Sequence, residues 1–62
     1  MYMEYTKKSI VNYIMGETGC NEAQADAIYS NAYEYGHSCG MFEVYAYAQD
    51  LCNLMNDFVR LR

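Results

Sequence analysis

The sequence predicts an all-α fold, one domain of three helices near residues 4–15, 21–36 and 40–61, on three observations. Apolar residues recur at three- and four-residue spacing in three separate segments, the pattern of helices that each bury one face. The chain has no proline and no alternating apolar run bounded by turn pairs such as Asn-Gly, so strands have no support. The stretch "NEAQ" sets Asn21 three residues before Gln24, a capping-box pattern that marks a helix start.

In the first segment Ile10, Val11 and Ile14 share a face. Thr6 suits the N-cap, although Lys7 and Lys8 would then oppose the helix dipole; a start near Met3, with Glu4 in the first turn, is the alternative. Gly16 and Gly19, within "GETGC", are expected to close this helix. The second helix follows Asn21, with Glu22 and Asp26 favourable near its start and Ala25, Ile28, Ala32 and Tyr35 as its buried stripe. In the third, Val44, Ala48, Leu51, Met55 and Phe58 form the stripe, widened by Tyr47, Leu54 and Leu61. Ile28, Leu51 and Phe58 are the expected core anchors. Arg60 and Arg62 suit the helix C-terminus.

The junction at Gly36–Gly40 has two readings. The apolar stripe changes phase there, and each glycine inside a helix costs about 1 kcal/mol against Ala, which favours a break. The alternative is a long helix through 36–40. Ala32, Gly36, Gly40, Val44 and Ala48 would then line a groove for close approach of another helix.

Sixty-two residues allow a single domain, 1–62, near the lower limit for independent folding. With 53% apolar and 19% charged residues the composition is not that of a disordered chain. Acids interrupt every long apolar run, so no membrane span is expected, and "MYMEYTKKS" lacks the apolar region of a signal peptide. Three unevenly spaced cysteines read as reduced thiols, and a cytoplasmic location follows. The net charge is −4, and no Lys or Arg lies between Lys8 and Arg60. Direct binding to nucleic acid or to an anionic membrane is thereby disfavoured.

Cys20, His37, Cys39 and Cys52 nominally supply four zinc ligands. Only His37 and Cys39 are close in sequence, and in a helix their side chains would point about 200° apart. No metal and no cofactor is expected. A Cys–His pair in contact would need a special turn or a tertiary coincidence, and the acids form no isolated pair, so catalytic residues are none and the chain is not read as an enzyme. His37 instead suits a helix C-terminus. The eight tyrosines exceed what so small a core can bury with every hydroxyl partnered, so several rings should be half exposed. Tyr29 and Tyr33, at i and i+4, with Tyr45 beyond the glycines, are the candidate recognition surface. The same tyrosines with Gly36 and Gly40 are the candidate seam of a homodimer. Glu43, Asp50 and Asp57 recur at seven-residue intervals, about 10.5 Å per step, wider than the phosphate repeat. They form a solvated face able to steer the chain toward a basic surface.

The stretch "AYEYGHSCGMFEVYAYAQDLCNLM" resembles helical segments of small proteins encoded by tailed bacteriophages, of the host-takeover or anti-defence type. It covers fewer than half of the residues. The resemblance implies a function class, inhibition of a bacterial host protein by binding, and assigns no residue. Together with the acidic steering, it makes a basic nucleic-acid-processing enzyme the expected partner. A structural or self-assembling helical protein is the alternative.

Overall fold

The computed structural model describes residues 5–60, with side chains to Asp57. It contains α1 (Lys7–Thr18), α2 (Glu22–Gly36), a 3-10 turn (His37–Cys39) and α3 (Met41–Arg60). The helix start near residue 4, or near Met3, is corrected: Tyr5 and Thr6 are not helical, and α1 begins at Lys7. Met3, Glu4, Leu61 and Arg62 themselves, and the side chains of Phe58 and Arg60, lie outside the described residues.

Thr6 caps α1. Its Oγ1 accepts from the Ser9 N–H at 3.2 Å, and the Thr6 N–H donates to Ser9 Oγ at 3.0 Å. Lys7, unfavourable toward the dipole in this first turn, is paired instead with Asp26 of α2 at 3.2 Å. Both side chains are at least half exposed, so the pair adds little stability. Gly16 does not close α1. The helix runs on to Thr18, and Gly19, at φ 72°, ends it by donating its N–H to Met15 O. One left-handed residue suffices for that stop, which leaves Gly16 as ordinary helix.

Asn21 and Gln24 form the expected capping box of α2: Asn21 Oδ1 accepts from the Gln24 N–H at 2.8 Å, and Gln24 Oε1 accepts from the Asn21 N–H at 3.1 Å. The helix breaks where the phase change indicated. Gly40 sits at φ 107° and ψ 171°, a conformation essentially confined to glycine, and its carbonyl accepts the N–H groups of Glu43 and Val44. The alternative of one continuous helix is therefore corrected.

The close approach suggested by the small residues is real, but it lies within the chain. A Cβ on Gly36 would stand 2.9 Å from the Glu43 carbonyl carbon and 2.9 Å from Val44 N, so α2 and α3 touch backbone to backbone. With Gly36 against Val44, an antiparallel register sets Ala32 opposite Ala48. Helix α1 runs in the same direction as α3: Tyr5 meets Phe42 at one end, and Asn56 Nδ2 donates to Glu17 O at 3.2 Å near the other.

The core consists of Ile10, Val11 and Ile14 of α1, Ala25, Tyr29 and Ala32 of α2, and Val44, Ala48 and Cys52 of α3. Ile28 and Leu51, expected at its centre, pack only at its edge. Tyr35 and Met55 lie outside it. The reason is that α2 and α3 each bury against two neighbours. Contact with α1 turns their buried arcs toward Tyr29 and Cys52, away from the widest part of the apolar stripe.

Candidate functional site

The rings form three clusters about the α2–α3 pair. On the α1 side, Tyr45 turns to α1, with its ring 4.9 Å from Tyr5 and 5.0 Å from Tyr13, and Phe42 closes edge-on against Tyr5 at 5.3 Å. Along α2, Tyr29, Tyr33 and His37 stack at successive i+4 positions, 5.8 Å and 5.0 Å apart, with Lys7 Nζ 5.7 Å from the centre of the Tyr29 ring. His37 is the C-cap of α2, as its position indicated, and its Nδ1 lies 2.8 Å from Tyr33 O. Tyr29 is buried at 8% exposure. Burial first, then the neighbouring Tyr33, raises its hydroxyl above the ordinary tyrosine value, while Lys7 opposes the shift.

The other side carries an apolar strip that no described element covers. Tyr35 of α2 and Tyr47 of α3 meet at 6.0 Å and are 71% and 40% exposed. Leu54, one heptad beyond Tyr47, is 66% exposed, and Met55 is 42% exposed. Leu51, between them on the same helix, is partly buried and ties the strip to the core. The sequence stripe had assigned Tyr35, Met55, Tyr47 and Leu54 to the interior; here they are surface. The strip has an acidic border. Glu43, Ala46, Tyr47 and Asp50 line a shallow depression of about 210 Å³, which brings two carboxylates beside the Tyr47 ring.

The residues expected at a recognition surface are therefore divided. Tyr29 and Gly36 lie inside the chain, Tyr29 in the core and Gly36 against the α3 backbone, and neither is available to a partner. The homodimer seam drawn through them is closed by the chain's own α3. Tyr45 is half-buried among Tyr5 and Tyr13 rather than beside Tyr29 and Tyr33. Tyr33 and Gly40 are exposed, as are Asp50 and Asp57, and Glu43 is partly so. Tyr47 and Tyr35, the best-placed tyrosines, were assigned to the core. Their signal was the seven-residue step from Tyr47 to Leu54 beside the acids at 43, 50 and 57.

A second groove, about 650 Å³, lies between α1 and α2, lined among others by Lys7, Lys8, Asn12, Glu22 and Asp26. Its charges are of both signs, and Lys7 is already paired with Asp26. Cys39 and His37 are exposed at the turn, Cys20 is partly buried, and Cys52 is fully buried. Burial, and secondarily Glu17, raise the Cys52 thiol above its ordinary value, which makes it a packing residue rather than a nucleophile. Among the described residues no three His, Cys, Asp or Glu side chains gather to hold a metal ion. No described helix is long and apolar enough to cross a membrane.

The chain belongs to a family of unknown function (DUF8546), whose model matches residues 7–56. That span begins with the first residue of α1 and ends at Asn56, whose side chain reaches back to Glu17. No curated protein and no solved structure matches the chain.

Proposed function

We propose that the chain is a non-enzymatic protein-binding module, phage-encoded, that acts in the bacterial cytoplasm by occupying a basic surface of a host or defence protein. One observation carries this reading: the exposed strip of Tyr35, Tyr47, Leu54 and Met55, bordered by Glu43 and Asp50. It stands on a hairpin with no Lys or Arg from Glu22 to Val59. An apolar centre with a charged edge is the anatomy of a protein-binding patch. A surplus of one charge sign steers encounter with the opposite sign and raises the on-rate. A nucleic-acid-processing enzyme offers such a basic surface, and the likeness of residues 32–55 to phage-encoded helical segments motivates the host setting.

Self-assembly is the competing use of the strip. A two-fold contact through it would bring the two acidic borders together with no described Lys or Arg side chain between them, which disfavours it. The test is affinity capture from bacterial lysate with the intact chain, followed by titration of the captured protein's own activity. The expected result is one dominant partner whose activity falls to a plateau at one equivalent of chain, with binding that weakens as salt rises. Retention of no partner overturns the reading. So does loss of activity at a small fraction of an equivalent, which would mark the chain as a catalyst.

A further inference from the structure

The α2–α3 strip has the dimensions and border of a seat for one particular kind of segment. From Glu43 to Met55 it extends along α3 for about 18 Å, some three helical turns. Its anchors on α3 repeat at Tyr47, Leu51 and Leu54, steps of four and three residues, and Tyr35 widens it from α2. No sheet edge exists among the described residues, so an added strand has nothing to pair with. A helix laid along the seam, with its own anchors at i, i+3 or i+4, and i+7, matches both the spacing and the length.

Charge selects among helices. Six acids and no Lys or Arg lie between Glu22 and Val59, and Glu43 and Asp50 open directly beside Tyr47. The described lysines, Lys7 and Lys8, stand on α1 at the other groove, where Lys7 holds Asp26. A second copy laid strip to strip would bring its own Glu43 and Asp50 to this border and no described Lys or Arg side chain. An acidic helix would likewise bring acids to it.

We infer that the strip formed by Tyr35, Tyr47, Leu51, Leu54 and Met55 is the docking seat for a basic amphipathic helix of the partner protein, whose Lys or Arg side chains meet Glu43 and Asp50. This rests on the reading of the chain as a binding module and names the element it grips. The Tyr29–Tyr33–His37 stack is not part of the seat.

The test titrates the full chain, isotope-labelled for NMR, with two designed 14-residue helical peptides. Both carry leucines at i, i+3, i+7 and i+10; one is flanked by Lys and Arg, the other by Glu. The expected result is binding of the basic peptide alone, weakened by salt, with resonance shifts centred on Tyr35, Tyr47, Asp50 and Leu54. Leu54→Glu and Asp50→Lys should each weaken it at least about tenfold, as loss of a central contact does, while Tyr33→Ala leaves it unchanged. Circular dichroism checks that each variant stays helical, and both substitutions fall on exposed positions. Equal binding of the two peptides overturns the inference, as do shifts centred on Lys7, Asn12 and Asp26. A dimer in sedimentation equilibrium that Leu54→Glu disperses also overturns it, by identifying a second copy as the occupant. The outcomes stay separable from the general reading. A captured host protein that ignores Leu54→Glu sinks the seat and keeps the module. A peptide that binds as expected, with no host partner retained, keeps the seat and sinks the host reading.

Discussion

On the side of the α2–α3 pair that α1 covers, Tyr5, Tyr13 and Tyr45 lie ring against ring and Tyr29 is inside. On the opposite side Tyr35 and Tyr47 meet only at 6.0 Å and remain largely open, with Leu54 and Met55 below them. The same residue type thus serves two ends. Where a third helix excludes water, tyrosine packs as a large apolar body; where none does, it stands as an amphipathic surface with its hydroxyl in solvent. The difference lies in where α1 docks, since both sides of the pair are apolar in sequence. One helix, α1, covers one side of a hairpin whose two sides could each be buried.

The largest effect that probes this contrast compares one residue from each side. Ile14 is fully buried on the covered side, and Ile14→Ala should cost about 2–5 kcal/mol, enough to unfold much of so small a domain. Leu54→Ala on the open side should stay within about 0.5 kcal/mol. Urea unfolding measures both. Comparable losses would mean that the strip is covered in solution and the two sides are alike.

Next in size is the seam itself. Gly36→Ala must push a methyl into the α3 backbone and should cost about 1–3 kcal/mol, read as a lower urea midpoint. Gly16→Ala is its counterpart: helical backbone with open space around the new methyl, and an expected gain of about 0.4–1 kcal/mol. A Gly36→Ala protein as stable as the parent would show that α2 and α3 sit farther apart than described.

The smallest effect is confined to alkaline pH. Burial raises Cys52, Tyr29 and Tyr13 above their ordinary values of 9.0, 10.0 and 10.0. Below pH 9 both folded and unfolded chains hold these protons. Above it the unfolded chain releases them first, so stability falls as pH rises from about 9 through the raised folded values. Thermal melts from pH 7 to 11 should show a flat region and then a decline. Cys52→Ala should shift the onset of that decline from near 9 toward 10. An onset unmoved by that substitution would place Cys52 in contact with water.

Much of this fold was legible because its boundaries are set by local chemistry. Asn21 with Gln24 specified the start of α2, and the glycine pair with the phase change specified the break at Gly40. Ile10, Val11, Ile14, Ala25, Ala32, Val44 and Ala48 were read as interior and are. Apart from the bounds of α1, where Gly16 stays helical, the errors concern phase. A helix with a wide apolar arc shows that a face is buried, but which edge of the arc meets a third helix depends on that helix's docking. Tyr29 and Cys52 lie on the edge toward α1; Tyr35, Met55 and Leu54 lie on the edge away from it. The candidate surface failed for the same reason. Asp50 and Asp57 were read correctly as solvated and Tyr33 is exposed, whereas Tyr29 and Tyr45 were drawn from the covered side.

The seam between α2 and α3 is built mostly from residues that are already as small as side chains come, Ala32, Gly36 and Ala48, with Val44 the largest. Truncation scanning, which maps most interfaces by cutting side chains back to alanine, has almost nothing to cut here and would return silence along the most tightly apposed line of the molecule. Only enlargement reports on it. A scan that adds methylenes at these four positions would trace the seam as a row of intolerance, and neutral drift of the chain should be constrained there by an upper limit on volume and not by a lower one.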